Sequence, residues 1–109
     1  MEEGKLKHAI VSNLKRGKTN ALPGRILAQR LGFKNDRQIR LAIRELIADG
    51  KPIASSVRPP LGYFIADSGE EAIEYMKVLK SRLVNDAYRR RDFKLAARNI
   101  LDPYQLGLL

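Results

Sequence analysis

Residues 36–46 read DRQIRLAIREL. Ile39, Ala42, Ile43, Leu46 and Ile47 recur at i, i+3, i+4, i+7 and i+8, the spacing of one apolar helix face. Arg37, Arg40 and Arg44 fall between them, on the other side of the same cylinder. The stretch is therefore predicted to be a helix with one face for a core and one cationic face. A solvated surface helix and a helix that reads phosphate and base edges both have this pattern, so the rest of the chain has to separate them.

On the N-terminal side, Asn35 is suited to cap this helix, with Gln38 three residues on completing a capping-box pattern. The helix is expected from Asp36 to about Ala48, where DGKP stops it. Before it, GRILAQRLGF is a second short helix with Ile26, Leu27 and Leu31 inward, closed by Gly32. Earlier still, Leu6, Ile10 and Leu14 repeat every four residues and mark a first helix that ends at Gly17. The intervening KTNALPG is too short and too rich in breakers for a helix. It reads as an extended link with a short strand near Thr19–Ala21.

Downstream, IASSV and GYFIAD are two strand-like runs joined by RPPLG, a hairpin with a proline-stiffened tip. Ser68 and Glu71 form a second capping box, which opens the longest helix. Ala72, Met76, Leu79 and Leu83 follow in 4-3-4 spacing, close to a heptad seam. The pattern does not decide whether 70–100 is one helix or two. The seam suits either packing back on the first helix or pairing with a second copy. The last residues, from DPYQLGLL, are expected to be a flexible tail. The organisation is thus residues 1–68 as one domain, 69–101 as a C-terminal helical extension, and 102–109 as the tail.

Composition narrows the function. The 109 residues are 44% apolar, 30% charged and 6% aromatic, with no cysteine, so neither a disulfide framework nor a thiolate metal site is available. No run approaches the ~18 apolar residues of a membrane span. The N-terminus lacks a secretory pattern, and a cytoplasmic protein with no membrane partner is expected. The net charge is +9, with a pI near 10.2. Residues 1–68 carry thirteen Lys/Arg against six Asp/Glu, whereas 69–109 carry eight against six. Such a basic front attracts polyanions.

The ordered set LAQRLG, RQIRLAIREL, DGKPI and GYFIA resembles the winged-helix variant of the helix-turn-helix family over about residues 5–67. The N-terminal domain of bacterial biotin repressors and many phage-encoded DNA-binding proteins look similar. The resemblance implies a mainly α fold with a small β-hairpin wing, a winged helix-turn-helix followed by a long C-terminal helical extension. It also implies docking on double-stranded DNA, with the third helix in the major groove and the wing against backbone or minor groove. The residues expected at DNA are Arg37, Gln38, Arg40, Leu41 and Arg44 on that helix, Lys34 and Lys51 flanking it, and Arg58 at the wing tip. Arginine can fork onto guanine and glutamine onto adenine. Lys34 and Lys51 are phosphate contacts, which position without specifying.

The function so implied is that of a transcriptional regulator or a phage or mobile-element accessory protein. An adaptor that docks on protein is the alternative. QLGLL resembles the short peptide by which bacterial replication and repair proteins grip the sliding clamp, with Gln105, Leu106, Leu108 and Leu109 as its contacts; Leu109 stands where that peptide usually has phenylalanine. RNA binding is a third reading, weakened by the scarcity of stacking aromatics. A homodimer through the C-terminal helix is a further expected partner. No phosphate-binding glycine loop occurs, and His8 is the sole histidine. No catalytic residue, metal ligand or cofactor is expected, and the chain is not read as an enzyme.

Overall fold

The structure, a computed structural model, describes residues 2–108. Five α-helices and one hairpin follow in order: α1 (Glu3–Asn13), α2 (Gly24–Arg30), α3 (Arg37–Ala48), β1 (Ile53–Ser56), β2 (Gly62–Ile65), α4 (Gly69–Ala97) and α5 (Pro103–Gly107), with a 3-10 turn at Lys18–Asn20. The chain is mainly helical, with a small antiparallel hairpin and a long C-terminal helix, as the sequence pattern implies.

The first compact unit runs to Tyr75. Its core is aliphatic: Leu6, Ile10 and Leu14 from the first helix and its end, Leu27 and Ala28 from α2, Ile39, Ala42, Ile43 and Leu46 from α3, and Ile53 from β1. Ile10, Leu27 and Ile39 are the largest side chains fully removed from water. Ile26 and Leu31 of the predicted α2 face are only partly buried, whereas Leu27 and the small Ala28, suited to close helix contact, are buried. Ile47, placed by the spacing on the inner face of α3, is 45% exposed. At 100° per residue it lies about 90° from the centre of the buried stripe, at its margin.

β2 is the hub of the β structure. On one side it pairs with β1, Ile53 opposite Ile65 and Ala54 opposite Phe64. On the other it holds two separate stretches of chain. Leu22 and Tyr63 exchange both backbone hydrogen bonds at 2.8 Å, while Gly17 N–H donates to Ile65 and Ile65 N–H donates to Lys15, both at 2.9 Å. The strand expected near Thr19–Ala21 is instead the 3-10 turn, and the pairing residue is Leu22. The reason lies in Gly62, which has φ +125° and a missing Cβ that would otherwise strike the Leu22 carbonyl.

α4 starts as its capping box predicts. Ser68 Oγ accepts from Glu71 N–H at 3.2 Å, and the Glu71 carboxylate accepts from the N–H groups of Asp67 and Lys18, both at 2.9 Å. These two N–H donors hold the Glu71 pKa below the ordinary carboxylate value. Lys18 Nζ also reaches Glu74 at 2.7 Å. Glu71 and Glu74 thus tie the first turns of α4 to Lys18, within the compact unit that runs to Tyr75.

The second unit, from Met76, consists of the rest of α4 and α5. Residues 69–97 form one continuous helix, which settles the question the sequence left open. Among its described residues only Ala97 is buried. Where a flexible tail was expected, Pro103–Gly107 forms a short helix, its start closed by a reciprocal box between Asp102 and Gln105. No helix is long and apolar enough to cross a membrane.

Candidate nucleic-acid interface

α3 divides its surface sharply. Ile39, Ala42, Ile43 and Leu46 are at most 5% exposed, whereas Arg37, Gln38, Arg40, Leu41, Arg44 and Glu45 are all exposed. Leu41, the apolar member of the outer face, is 49% exposed. Arg37, Leu41 and Arg44 follow at i, i+4 and i+7 and form one outward ridge. Arg40 and Ile47 lie on one flank of it, Gln38 and Glu45 on the other.

The N-terminal end of α3 is fixed from three directions. Asn35 Oδ1 accepts from Arg37 N–H at 3.0 Å. Gln38, expected to complete a capping box, makes no capping bond and stays exposed, since the turn places Asp36 rather than Asn35 at the cap. Asp36 packs where the start of α2 meets β2: a Cβ added to Gly24 would sit 3.1 Å from the Tyr63 ring and 3.2 Å from Asp36 Oδ2. Partial burial, and then the nearby Asp36 charge, push the Tyr63 hydroxyl pKa upward. The other Asp36 oxygen receives Arg40 Nε at 3.4 Å, one turn along the helix. Arg40 remains 61% exposed, so this ion pair orients its guanidinium without hiding it.

The flank towards α1 is different in kind. Lys7 Nζ lies 3.1 Å from Glu45, 3.3 Å from Asp49 and 3.6 Å from Glu3. The bond to Glu45 leads the effects that raise the Lys7 pKa. Glu3 and Glu45 share a hydrogen bond, which raises the pKa of Glu3 and lowers that of Glu45. A shallow groove of about 410 Å³ runs beside them, lined by Glu3, Leu6, Arg37, Gln38, Leu41, Ala42 and Glu45. Lys7 and its three carboxylates went unnoticed in the sequence because residues 3, 7, 45 and 49 meet only through the packing of α1 on α3. The i, i+4 spacings of Glu3 with Lys7 and of Glu45 with Asp49 were the available signals.

The remaining expected contacts are dispersed. Lys34 is exposed in the turn before α3. Lys51 is exposed beyond the opposite end of the helix, about 20 Å further along its axis. Arg58 is exposed at the hairpin tip, where its backbone is tied to Ser56: Ser56 Oγ donates to the Arg58 carbonyl at 2.7 Å and accepts from Arg58 N–H at 3.3 Å. Val57 and Leu61 beside it are 67% and 52% exposed, so the tip is apolar as well as cationic.

In the tail, Gln105 is not extended. Its side-chain oxygen accepts from Asp102 N–H at 3.1 Å. Leu108 is 69% exposed. Leu109 and the side chain of Leu106 lie outside the described residues. No cluster of His, Cys, Asp and Glu suited to a metal ion occurs among the described residues. Comparison of the chain with family models, curated proteins and solved structures finds no match.

Proposed function

We propose that this chain binds double-stranded DNA, with α3 as the reading element and the hairpin as a wing, in the manner of the winged-helix family. The observation that carries the reading is the outer ridge of α3. Three arginines and a glutamine stand in solvent around one apolar side chain, on a helix whose opposite face is almost entirely buried. A B-DNA major groove admits one such helix, arginine and glutamine supply the paired donors that distinguish guanine and adenine, and Leu41 suits the thymine methyl group. Arg58, on a tip braced by Ser56, supplies a backbone or minor-groove contact. The activity is binding rather than catalysis, and the biological setting a transcriptional regulator or an accessory protein of a phage or mobile element.

Duplex affinity measured against salt tests this. Each phosphate neutralised contributes about −0.9 to the slope of log K against log salt. The variant Arg37→Ala/Arg44→Ala is chosen because neither side chain has an ion pair among the described residues. It is expected to flatten the slope by ~1–2 and to weaken binding at least ~10-fold, with the helical signal unchanged. Equal affinity and slope for variant and parent refute the assignment of α3.

The second reading, an adaptor docking through its tail on a sliding clamp, draws on the exposure of Tyr104 and Leu108. It requires Gln105 to leave its bond with Asp102. Deleting 105–109 abolishes partner capture under this reading and leaves duplex binding intact under the first.

A further inference from the structure

The second unit is the more basic of the two for its size. From Met76 onward there are eight Lys/Arg against three Asp/Glu, whereas residues 1–75 hold thirteen against nine. Lys77, Lys80, Val84, Ala87, Arg91 and Lys94 recur at alternating spacings of three and four residues, so they share one side of α4. At 100° per residue the four cations point within about 50° of one direction, and Asp86 and Asp92 point about 130° and 110° away from it. Lys77, Lys80 and Arg91 are exposed, and Lys94 is partly buried.

The charge on this side is poorly compensated. Lys77, Lys80 and Lys94 have no ion pair among the described residues. Glu74, three residues before Lys77, is engaged by Lys18 at 2.7 Å. Arg91 meets its neighbour Asp92 at 3.2 Å, both side chains remaining more than 60% exposed, and its guanidinium lies 4.9 Å from the Tyr88 ring centre. Such an exposed pair screens little of the charge. Lys77 with Lys80, and Arg91 with Lys94, are like charges three residues apart, an arrangement that weakens a free helix. A polyanion laid along this side removes that repulsion.

We infer that this side of α4 is a second contact for duplex DNA, one that holds phosphates and reads no sequence. Spacing supplies the match. Lys77 with Lys80 and Arg91 with Lys94 form two cation pairs whose midpoints stand about 21 Å apart along the axis, with Val84 and Ala87 between them on this side. A duplex sets one phosphate strand on each side of a major groove about 12 Å wide. With the width of the strands themselves added, a straight helix laid across that groove meets phosphates at both pairs and leaves its uncharged middle over the opening. A membrane surface fits less well. The exposed Phe93, Leu79, Leu83, Val84 and Tyr88 spread over about 220° of the circumference with the cations among them, so burying them in lipid would bury charge. The inference rests on duplex DNA being the ligand, as in the function above, but uses no residue of α3.

The test uses the full chain and a duplex of mixed sequence, with binding followed by fluorescence anisotropy across a salt series. Lys80→Gln/Arg91→Gln removes one cation from each pair. It is expected to flatten the slope of log K against log salt by about 1.8 and to weaken binding at least ~5-fold. Arg82→Gln/Arg89→Gln is the control. It removes the same charge from exposed positions of the same helix, about 170° away, where Asp86 lies within one turn of each. Both variants substitute glutamine, a good helix former. The control is expected to bind within ~2-fold of the parent. A Lys80→Gln/Arg91→Gln variant that binds as the parent does, or loses no more than the control, overturns the inference. So does a loss confined to phosphatidylserine vesicles with duplex binding unchanged. If Lys80→Gln/Arg91→Gln weakens duplex binding and Arg37→Ala/Arg44→Ala does not, the α4 contact stands and the assignment of α3 fails; the reverse result sinks the α4 contact alone. A parent chain without duplex affinity sinks both.

Discussion

Gly62→Ala should damage this fold more than its single added methyl suggests. Gly62 opens β2 at φ +125°, where an L side chain is strained. Its Cα also lies against the backbone of Leu22 and Pro23, and a Cβ would overlap the Leu22 carbonyl. Either the residue keeps its conformation and the Leu22 strand moves away, or β2 rotates. Both outcomes break the two 2.8 Å hydrogen bonds between Leu22 and Tyr63. Backbone strain of ~1–3 kcal/mol and two hydrogen bonds of ~0.5–1.5 kcal/mol each give a loss of ~2–6 kcal/mol. Whole-domain stability is only ~5–15 kcal/mol. For a unit of this size each kcal/mol moves the melting temperature by roughly 4–8 °C, so a fall of at least ~10 °C is expected in a thermal melt followed by circular dichroism. Gly69→Ala is the control. It adds the same methyl at the first residue of α4, where nothing lies within 4 Å, and should melt within ~3 °C of the parent. A Gly62→Ala variant that melts as close to the parent as that control refutes the close approach of Leu22 to β2.

Leu27→Ala, at a side chain with no exposed surface, is expected to cost ~2–5 kcal/mol in chemical denaturation, because the surrounding aliphatic core cannot collapse fully onto the space. Glu71→Gln tests the lowered carboxylate. A group with a depressed folded pKa stabilises above its unfolded value, near 4.5, and loses that contribution as pH falls through the folded value. The parent should therefore be more stable than Glu71→Gln at neutral pH, and the gap should close in titrations below pH 4.5. Lys7→Met leaves Glu3, Glu45 and Asp49 together without their cation. Its melting temperature should fall at neutral pH and recover on acidification, Glu3 taking up a proton first because its pKa is already raised.

The local signals in the chain were reliable where one element sufficed. The heptad-like and four-residue spacings located α1, α2, α3 and α4, and the Ser68–Glu71 pair located the start of α4, since each depends on neighbours within one or two turns. What failed depended on contacts distant in sequence. Leu22, not Thr19–Ala21, pairs with β2, because the choice is made by Gly62, forty residues away. Ile47 fits the apolar period of α3 yet stands at its margin, about 90° from the centre of the buried stripe. The tail, expected to be flexible over 102–109 after its proline stop, gained a helical turn from the reciprocal Asp102–Gln105 box. The arginine ridge of α3 was legible because amphipathic spacing alone places it opposite Ile39 and Ile43. The carboxylates beside it were not, since they join the same surface only when α1 packs against α3.

Those carboxylates constrain the proposed docking. The first 68 residues carry a net +7, but the charge is not spread evenly around α3. On the α1 flank Glu3, Glu45 and Asp49 surround a single lysine, so this side is net negative and repels a phosphate strand. The opposite flank presents Arg40, aligned by Asp36, and the ridge presents Arg37 and Arg44. A duplex meeting α3 is therefore steered towards the Arg40 side and the N-terminal end, where the exposed Lys34 also favours anions. Lys51, beyond the far end, is the least able of the expected contacts to share that approach. The groove between α1 and α3 is left facing away from the phosphates, with Gln38 at its border free to turn towards a base edge. In the proposed docking, Arg40 would meet the backbone first, whereas Arg37 and Arg44, with no carboxylate to leave among the described residues, would be the ones to discriminate sequence.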